Sequence, residues 1–376
     1  MILPPSMLGM LGGGQLARFF VIAAHEMGYK VTVLDPDKNS PAGMIADVHL
    51  CAAYDDVAAL NEMASACVAV TTEFENVPAA TLETLAKSVP VHPAASAVAV
   101  CQHRVSEKNF LRDHGFPCAP YAEINHDADI PAAESGLYPG ILKVARFGYD
   151  GKGQARVSSP EEALAAFHNF KSEQCVLEKM LSLDYEVSVV LARDVVGNVK
   201  AFPTAENIHR NGILDISIVP ARGTTEVREQ AQALARGVAE KLGYVGTLGV
   251  EFFVCNGALF VNEMAPRPHN SGHYTIDACV TNQFEQQVRA LCGLPLGDAR
   301  LHSAAVMVNL LGDVWPGGAA PEWNLLFEQT DLKLHLYGKH EARPGRKMGH
   351  FTVIGENAAQ VLDGAMAARS RIKVEG

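Results

Sequence analysis

Short apolar runs alternate along the chain with stretches of helical periodicity, a pattern typical of α/β proteins. The first run, Met7 to Leu11, leads into Gly12-Gly13-Gly14, and a second run extends from Lys30 to Leu34. Between them, Gly28 stands where a helix cap belongs. Apolar residues recur there at helical spacing at Leu16, Phe19, Phe20, Ala23 and Met27. The pattern predicts a strand–helix–strand unit that opens with a glycine turn.

The rest of the chain continues this alternation. We expect strands at Val68 to Thr72, Ile141 to Val144, Cys175 to Glu178 and Tyr185 to Leu191, and helices at Arg104 to Leu111 and Val227 to Leu242. Two further strands, Thr247 to Val254 and Leu259 to Glu263, flank Asn256-Gly257, a strong hairpin signal. We expect an N-terminal domain at 1–95, a central domain at 96–301 with a lid at about 115–185, and a small strand-rich domain at 302–376.

Composition places the chain among folded globular proteins, with 48% hydrophobic and 19% charged residues. A net charge of −11 argues against non-specific nucleic-acid or membrane-surface binding, which requires an excess of lysine and arginine. No apolar run is long enough for a membrane span, and the eight scattered cysteines lack zinc-ligand spacing. We therefore expect a cytoplasmic protein whose anionic ligands bind in a locally basic pocket.

The glycine turn is the first candidate chemical motif. Gly12-x-Gly14-x-x-Ala17 fits the dinucleotide fingerprint, and Asp35 lies near the distance expected of a ribose-binding acid. A helix N-terminus attracts any phosphate, however, including one on a ribonucleotide substrate. The motif alone leaves three interpretations open: a dinucleotide site, another phosphate site, or a plain tight turn.

A second group of residues suits a nucleoside triphosphate. Lys143 lies on a predicted strand, where it would neutralise phosphate charge. The loop Gly148 to Gln154 contains three glycines, which allow close backbone approach to phosphates and opening for product release. The alternative is a flexible hairpin loop without a ligand.

Two acidic residues on the predicted hairpin favour a metal site. Glu251 lies within an apolar strand, where an ionised group is costly unless it is paired or metal-bound. A three-residue loop, Asn256 to Ala258, would place Glu251 opposite Glu263, whereas a two-residue loop would put them on opposite faces. We predict the three-residue loop, with magnesium between the carboxylates. The alternative is a buried salt bridge to Arg267.

Three longer motifs occur in fixed order along the chain. They are Gly148-Tyr-Asp-Gly-Lys-Gly-Gln154, Asn262-Glu-Met-Ala-Pro-Arg267 with His269-Asn-Ser-Gly-His273, and Arg343-Pro-Gly-Arg-Lys347 with Gly349-His350. Together they resemble the 5-(carboxyamino)imidazole ribonucleotide synthetases, ATP-grasp enzymes of purine biosynthesis. The resemblance covers nearly the whole chain. It implies an ATP-grasp fold with an N-terminal Rossmann-like domain and a small strand-rich C-terminal domain, commonly assembled as a homodimer.

The resemblance also implies a set of site residues. ATP would be held by Arg104, Lys143, Gly148, Tyr149, Asp150, Gly151, Lys152, Gly153, Gln154, Glu178, Lys179, Met180, Leu181, Glu186, His209, Asn262 and Glu263. Glu251 and Glu263 would bind Mg²⁺. Bicarbonate and carboxyphosphate would meet Arg267, His269 and Asn270, with Lys143 neutralising phosphate charge. The aminoimidazole ribonucleotide would face Glu73, Tyr149, Asp150, Lys152, Arg346 and Lys347.

The implied activity is ATP-dependent carboxylation of aminoimidazole ribonucleotide through carboxyphosphate. Because this anhydride hydrolyses readily, a closed lid must exclude water. His269 would act as a general base, and the alternative is a structural histidine. The basic turn around Pro344-Gly345 would bind substrate phosphate or would simply be solvated; it carries Lys339, Arg343, Arg346 and Lys347.

Other functional classes share parts of this pattern. Other ATP-grasp ligases, such as a formate-using glycinamide ribonucleotide transformylase or a biotin carboxylase, have the lid and the paired acids. An NAD-dependent oxidoreductase would use the Gly12 motif and would need no magnesium. A non-catalytic nucleotide-sensing module would not need so many placed acids and bases.

Overall fold

A computed structural model describes residues 1–148 and 153–372, with Pro316 described by its backbone alone. The predictions for Tyr149, Asp150, Gly151 and Lys152 lie outside the described residues. All eight cysteines are free thiols. Among the described segments, no helix has both the length and the hydropathy needed to cross a membrane.

The N-terminal region is a four-stranded parallel sheet in the order β3-β2-β1-β4 with helices between its strands. Its elements are β1 (Met7–Leu11), α1 (Gln15–Glu26), β2 (Lys30–Leu34), β3 (Val48–Leu50), α2 (Val57–Ala66), β4 (Ala69–Thr72), α3 (Ala79–Ala86) and α4 (Ala95–Cys101). Gly28 follows α1 with a φ of +83°, as expected for a helix-terminating glycine. The predicted strand–helix–strand opening is therefore confirmed.

The next region forms a separate antiparallel sheet in the order β5-β8-β6-β7. Its elements are α5 (Arg104–Asp113), β5 (Tyr121–Ile124), α6 (Asp129–Ala132), β6 (Gly140–Val144), β7 (Gln154–Val157), α7 (Pro160–Asn169) and β8 (Cys175–Lys179). Helix α7 closes the apolar face of this sheet through Ala163 and Phe167, both fully buried. This small layer occupies most of the predicted lid segment.

A nine-stranded sheet forms the largest layer, in the order β14-β13-β9-β11-β12-β15-β17-β16, with β10 pairing to β9. Its first part contains β9 (Tyr185–Arg193), β10 (Val199–Ala201), β11 (Ala205–Arg210), β12 (Ile213–Val219), α8 (Thr225–Lys241), β13 (Gly246–Cys255), β14 (Ala258–Ala265), α9 (Thr275–Ala278) and α10 (Gln283–Leu291). Helix α8 packs on this sheet through buried residues at helical spacing, such as Ala231, Ala235 and Val238.

The C-terminal strands extend this same sheet. They are β15 (Ala304–Leu311), β16 (Leu332–Leu336) and β17 (Lys347–Gly355), accompanied by α11 (Asn324–Phe327) and α12 (Ala358–Arg371). Strand β15 is hydrogen-bonded to β12 on one side and to β17 on the other. The predicted strand-rich C-terminal part is therefore present, and its strands continue the central sheet without a break.

The β13–β14 hairpin contains the acid pair, and it differs from the prediction in one respect. Cys255 pairs with Ala258, so the loop is the two residues Asn256-Gly257 and not three. Glu251 nevertheless pairs with Glu263, because a bulge displaces the register by one residue between Phe252 and Glu251. The predicted pairing is confirmed, but the predicted loop length is wrong. Asn262 is the extra residue on β14, and it makes up for the shorter loop.

The N-terminal region packs against the central region through α1 and α10. The rings of Phe19 and Phe284 lie 5.1 Å apart in a shared apolar cluster. A buried hydrogen bond from Gln287 Nε2 to Thr71 Oγ1, 2.6 Å long, also joins α10 to β4. These contacts fix the carboxyl ends of β1 and β4 beside the cleft of the central sheet.

Candidate active site

Helix α5 brings a row of charged side chains to the cleft between the lid sheet and the large sheet. Arg104 Nη2 donates to the Gly148 carbonyl at 3.3 Å, and Arg104 Nη1 lies 3.6 Å from Glu263 Oε2. Lys108, which is fully buried, donates to the Asn262 carbonyl at 2.9 Å. One helix therefore contacts both walls of the cleft.

A buried cluster of one acid and two lysines lies in the cleft. Glu178 is 3.1 Å from Lys143 Nζ and 3.3 Å from Lys108 Nζ, each through a different carboxylate oxygen. Burial alone would raise the pKa of Glu178, but the charges of Lys108 and Lys143 lower it to about 2. Burial lowers the pKa of Lys143. The cluster has one cation more than it has anions, which suits a phosphate.

The predicted nucleotide residues around this cluster lie on the lid and at its junction with the large sheet. Gln154 pairs with Lys143 across β6 and β7, and Gly153 has a φ of +69°, which favours glycine. After β8 ends at Lys179, the Met180 N–H donates to the Pro139 carbonyl at 3.0 Å. Leu181 continues this connection. The segment Glu178–Leu181 is therefore the strand end and linker between the two sheets.

The acid pair faces the same cleft. Burial and the neighbouring charge of Glu263 raise the pKa of Glu251 to about 7, and the Asn262 amide donates to Glu251 at 3.5 Å. The predicted alternative, a salt bridge between these acids and Arg267, is wrong, because Arg267 pairs with Glu75 at 2.6 Å. The charge of these two close carboxylates is not fully balanced by neighbouring cations. Their oxygen atoms and negative charge suit a divalent cation such as Mg²⁺.

A histidine and a further acid extend the acidic side of the cleft. His209 Nδ1 lies 3.0 Å from Glu186 Oε2 on the adjacent strand of the large sheet. Burial alone would lower the pKa of His209, but the hydrogen bond to Glu186 and the charge of Glu251 raise it above its usual value. His209 therefore balances part of the negative charge that the paired acids concentrate here.

The loop after β14 places His269 and Asn270 beside the acids. His269 Nε2 is 3.4 Å from Glu251 Oε1, and its Nδ1 lies 2.8 Å from Ser271 Oγ. Burial and the nearby charge of Arg267 hold the pKa of His269 well below its usual range, so the ring is neutral near pH 7. Asn270 is 7% exposed, and neither of its amide atoms has a hydrogen-bond partner within the described residues. Buried amides are normally satisfied, so this position is a candidate ligand contact.

Arg267 connects this loop to the N-terminal region. Its guanidinium donates to Glu75 Oε2 from Nε at 3.1 Å and from Nη2 at 2.6 Å. The charge of Arg267 lowers the pKa of Glu75, so this pair is ionised. The sequence analysis assigned no role to Glu75.

The glycine turn is occupied by the protein's own carboxylates. Glu73 accepts hydrogen bonds from the Gly14 N–H at 2.7 Å and from the Ala17 N–H at 3.3 Å. Asp35 accepts one from the Gly13 N–H at 2.7 Å. The amides that would cradle a phosphate already have acceptors, and Asp35 is not directed towards a ribose. Of the three interpretations of this motif, the tight turn between strand and helix is the one that the geometry favours.

Two lysines of the basic turn lie near the site. Burial raises the pKa of Glu73, and the nearby charge of Lys339 opposes this rise. The charge of Lys347 contributes to the lowered pKa values of Glu75 and His269, which places it near both. Arg346 Nη1 donates to the Glu341 carbonyl at 2.8 Å, and Arg343 pairs with the exposed Glu341 side chain. The four predicted basic side chains therefore do not all converge on one point.

Sequence reasoning also missed Glu107 and Lys108. Glu107 is buried and accepts a 2.6 Å hydrogen bond from the Met264 N–H, which ties α5 to β14. These two residues could have been found from the sequence. Arg104, Glu107, Lys108 and Leu111 are spaced so that they share one face of the helix, and Glu107, Lys108 and Leu111 on that face are buried.

Three family models match successive parts of the chain. The ribonucleotide synthetase preATP-grasp domain matches residues 6–102, the ATP-grasp domain residues 109–284, and the phosphoribosylaminoimidazole carboxylase C-terminal domain residues 305–364. Their order agrees with the N-terminal, central and C-terminal regions described above.

Individual relatives match over nearly their whole length. The N5-carboxyaminoimidazole ribonucleotide synthase of Brucella melitensis is 45% identical over 93% of this chain and 97% of its own, and that of Bacillus subtilis is 43% identical over 93% and 92%. A crystal structure of the Aspergillus clavatus synthase with ADP and 5-aminoimidazole ribonucleotide is 31% identical, covers 98% of each chain, and superposes with a TM-score of 0.88. The chain therefore belongs to the N5-carboxyaminoimidazole ribonucleotide synthase family of ATP-grasp enzymes.

Proposed function

We propose that this protein carboxylates 5-aminoimidazole ribonucleotide with bicarbonate, using ATP, and releases ADP and phosphate in de novo purine biosynthesis. The observation that carries this proposal is one cleft in which phosphate-binding cations, the Glu251–Glu263 pair and the unsatisfied amide of Asn270 lie together. Membership of the synthase family supports the choice of substrate.

ATP lies between the lid sheet and the large sheet in this proposal. Lys143 and Arg104 neutralise the phosphates, and Glu178–Leu181 contacts the base at the linker. The remaining proposed contacts are Gly148, Tyr149, Asp150, Gly151, Lys152, Gly153, Gln154, Glu186, His209, Asn262 and Glu263. Lys108 keeps Glu178 ionised, so we add it as a positioning residue.

Glu251 and Glu263 would hold Mg²⁺. When bound, the ion neutralises charge that develops on the transferred phosphoryl group. The raised pKa of Glu251, caused by burial and by the Glu263 charge, fits a pair that requires a cation. The two residues would hold the ion on the side of the cleft that faces the loop containing His269, whose Nε2 lies 3.4 Å from Glu251.

Bicarbonate is activated beside that loop. Its oxygen attacks the terminal phosphorus of ATP, the bond to ADP breaks, and carboxyphosphate forms. Arg267 carries the fixed positive charge, and the Asn270 amide supplies hydrogen bonds that no protein group in the described residues takes. The substrate amine then attacks the carboxyl carbon, phosphate leaves, and His269, whose Nε2 lies 3.4 Å from a Glu251 oxygen, accepts the amine proton.

The ribonucleotide lies between the basic turn and the N-terminal region in this proposal. Its contacts are Glu73, Tyr149, Asp150, Lys152, Arg346 and Lys347. Lys347 is the best supported of these, because its charge contributes to the lowered pKa values of His269 and Glu75. Glu73 would act mainly by shaping the glycine turn, since both of its oxygens accept backbone hydrogen bonds.

We further propose the domain boundaries 1–95, 96–301 and 302–376, a homodimeric assembly, and a cytoplasmic location without a nucleic-acid or membrane partner. The net charge of −11 supports the absence of a nucleic-acid partner and of a membrane partner.

The decisive experiment measures ADP release with ATP and Mg²⁺ while bicarbonate and aminoimidazole ribonucleotide are supplied separately and together. Release that requires both supports the proposal. Turnover with formate and glycinamide ribonucleotide, or with biotin, would assign another ATP-grasp reaction. Reduction of a nicotinamide cofactor without magnesium would overturn the proposal.

A further inference from the structure

A second group of potential metal ligands lies outside the nucleotide cleft. Asp277 on α9, His335 on β16 and His350 on β17 each offer one ligand atom, and these atoms all lie within 4.8 Å of one another. None of the three was assigned to ATP, bicarbonate or the ribonucleotide. They connect the central region to the C-terminal strands.

The arrangement follows from strand register. His335 and His350 are direct cross-strand partners, so their side chains emerge on the same face of the sheet. Their rings are stacked with centroids 4.6 Å apart and an interplanar angle of 22°. Asp277 Oδ2 approaches His335 Nε2 at 2.8 Å from the facing helix.

His350 has a ring nitrogen that no group in the described part of the chain uses. The side chain is fully buried, and its Nδ1 lies 2.9 Å from the Tyr337 hydroxyl, a hydrogen bond in either tautomer. Its Nε2 has no hydrogen-bond partner among residues 1–148 and 153–372. Because buried polar atoms are normally paired, this nitrogen is available to a ligand.

We propose that Asp277, His335 and His350 bind one divalent transition-metal ion, with Zn²⁺ as the best match. Two imidazoles and one carboxylate form a common zinc ligand set, and water would complete the tetrahedron. With metal–ligand bonds of about 2.0–2.1 Å, tetrahedral ligands lie about 3.3 Å apart. Atoms that now lie within 4.8 Å of one another would therefore move closer on binding, and one of the two stacked rings would rotate so that both nitrogens face the ion. Zn²⁺ would replace the proton shared by His335 and Asp277, while Tyr337 orients His350 from behind.

The site differs from the acid pair in its donor chemistry. Glu251 and Glu263 offer only oxygen atoms, which suit Mg²⁺, whereas two imidazole nitrogens favour zinc or a similar ion. The bound ion would fasten α9 to the β16–β17 strands, and β17 begins at Lys347. Its role would therefore be to hold the basic turn in position, beyond the proposed reaction itself.

The competing explanation is a metal-free cluster. His335 and Asp277 would then share a proton, and His350 would pack against Phe19, His273 and Tyr337 as an aromatic core. This explanation predicts no stoichiometric binding of zinc.

The test uses full-length protein that has been treated with a chelator and dialysed. Titration calorimetry with Zn²⁺ alone, in the absence of ATP, should give one equivalent per chain. Co²⁺ at the same site should give the intense visible absorption of a four-coordinate ion. Asp277→Asn and His335→Gln should lose this equivalent, and Tyr337→Phe should weaken affinity by about 10-fold. The exposed His126→Gln is the matched control and should bind normally.

Binding of less than one equivalent, or binding that Asp277→Asn and His335→Gln both leave intact, overturns the proposal. Circular dichroism of each variant separates loss of the ligand from loss of the fold, and Asp277→Asn keeps side-chain size if a histidine variant fails to fold. Because the readout is metal binding, the result does not depend on whether the protein carboxylates aminoimidazole ribonucleotide.

Discussion

The glycine turn at Gly12–Gly14 and the cleft beside Lys143 both have sequence features of phosphate sites, but they differ in what already occupies them. In the turn, carboxylates of Glu73 and Asp35 accept the exposed N–H groups at 2.7 Å. In the cleft, Glu178 is shared by two lysines, and the amide of Asn270 lacks a partner within the described residues.

This difference shows that motif geometry alone does not decide ligand binding. A helix N-terminus binds an anion only while its amides are available, and a carboxylate from the same chain satisfies them without a ligand. In the cleft, by contrast, burial and the charge of Glu263 raise the pKa of Glu251 to about 7, so the protein's own groups do not fully compensate this carboxylate. Unsatisfied groups are therefore a better guide to the site than glycine spacing.

The largest expected effect comes from the acid pair. Glu263→Gln should reduce kcat/KM for ADP release by roughly 10²–10³-fold, because it removes one of the two carboxylates that we propose hold Mg²⁺. The measurement is steady-state ADP release with bicarbonate and aminoimidazole ribonucleotide. Glu62→Gln, at an exposed position on α2, is the control. Normal turnover of Glu263→Gln would remove this residue from the metal site.

A smaller effect is expected at the basic turn. Lys347→Ala should raise the KM for the ribonucleotide by about 10–100-fold, as expected for one lost charged contact, with little change in kcat. Initial rates at saturating ATP and bicarbonate give both constants. Lys333→Ala, exposed on β16, should behave as the unaltered protein does. An unchanged KM would place the substrate elsewhere.

Glu107 connects the cleft to pH-dependent stability. Burial raises its pKa to about 8, above the value of 4.5 for a free side chain, so the folded protein retains its proton. The stability contributed by this group is complete below pH 4.5 and is lost as pH rises through about 8. Between pH 5 and pH 6.5 the unaltered protein should therefore lose about 2 kcal/mol of unfolding free energy that the Glu107→Gln variant does not lose.

Urea denaturation at the two pH values measures this difference, with Glu229→Gln on the exposed face of α8 as the control. An identical pH dependence in Glu107→Gln and the unaltered protein would show that Glu107 is ionised throughout this range.

The smallest expected effect tests the glycine turn directly. Glu73→Ala should cost about 1 kcal/mol of stability, because the amides of Gly14 and Ala17 lose their acceptor. Inorganic phosphate should then raise the Tm of this variant more than that of the unaltered protein, since an anion can take the place of the carboxylate. Glu73→Gln retains an acceptor and should respond less. Equal responses in all three proteins would mean that the turn does not bind anions even when it is open.

The sequence by itself determined the local elements and most of the cleft's components. Helix α1, its terminating Gly28 and the Asn256-Gly257 turn were predictable, because helical periodicity and positive φ angles depend on nearby residues. The family motifs likewise identified most of the proposed site residues.

Only the tertiary structure decided which of these groups remain available to a ligand. Glu251 meets Glu263 through a bulge at Asn262, a detail that a hairpin pattern does not encode. The filling of the glycine turn by Glu73 depends on a contact across 59 residues of chain, and the contact of Lys108 with Asn262 spans 154. The physical reason is that local preferences act over a few residues, whereas charge pairing and hydrogen-bond satisfaction depend on packing between distant segments.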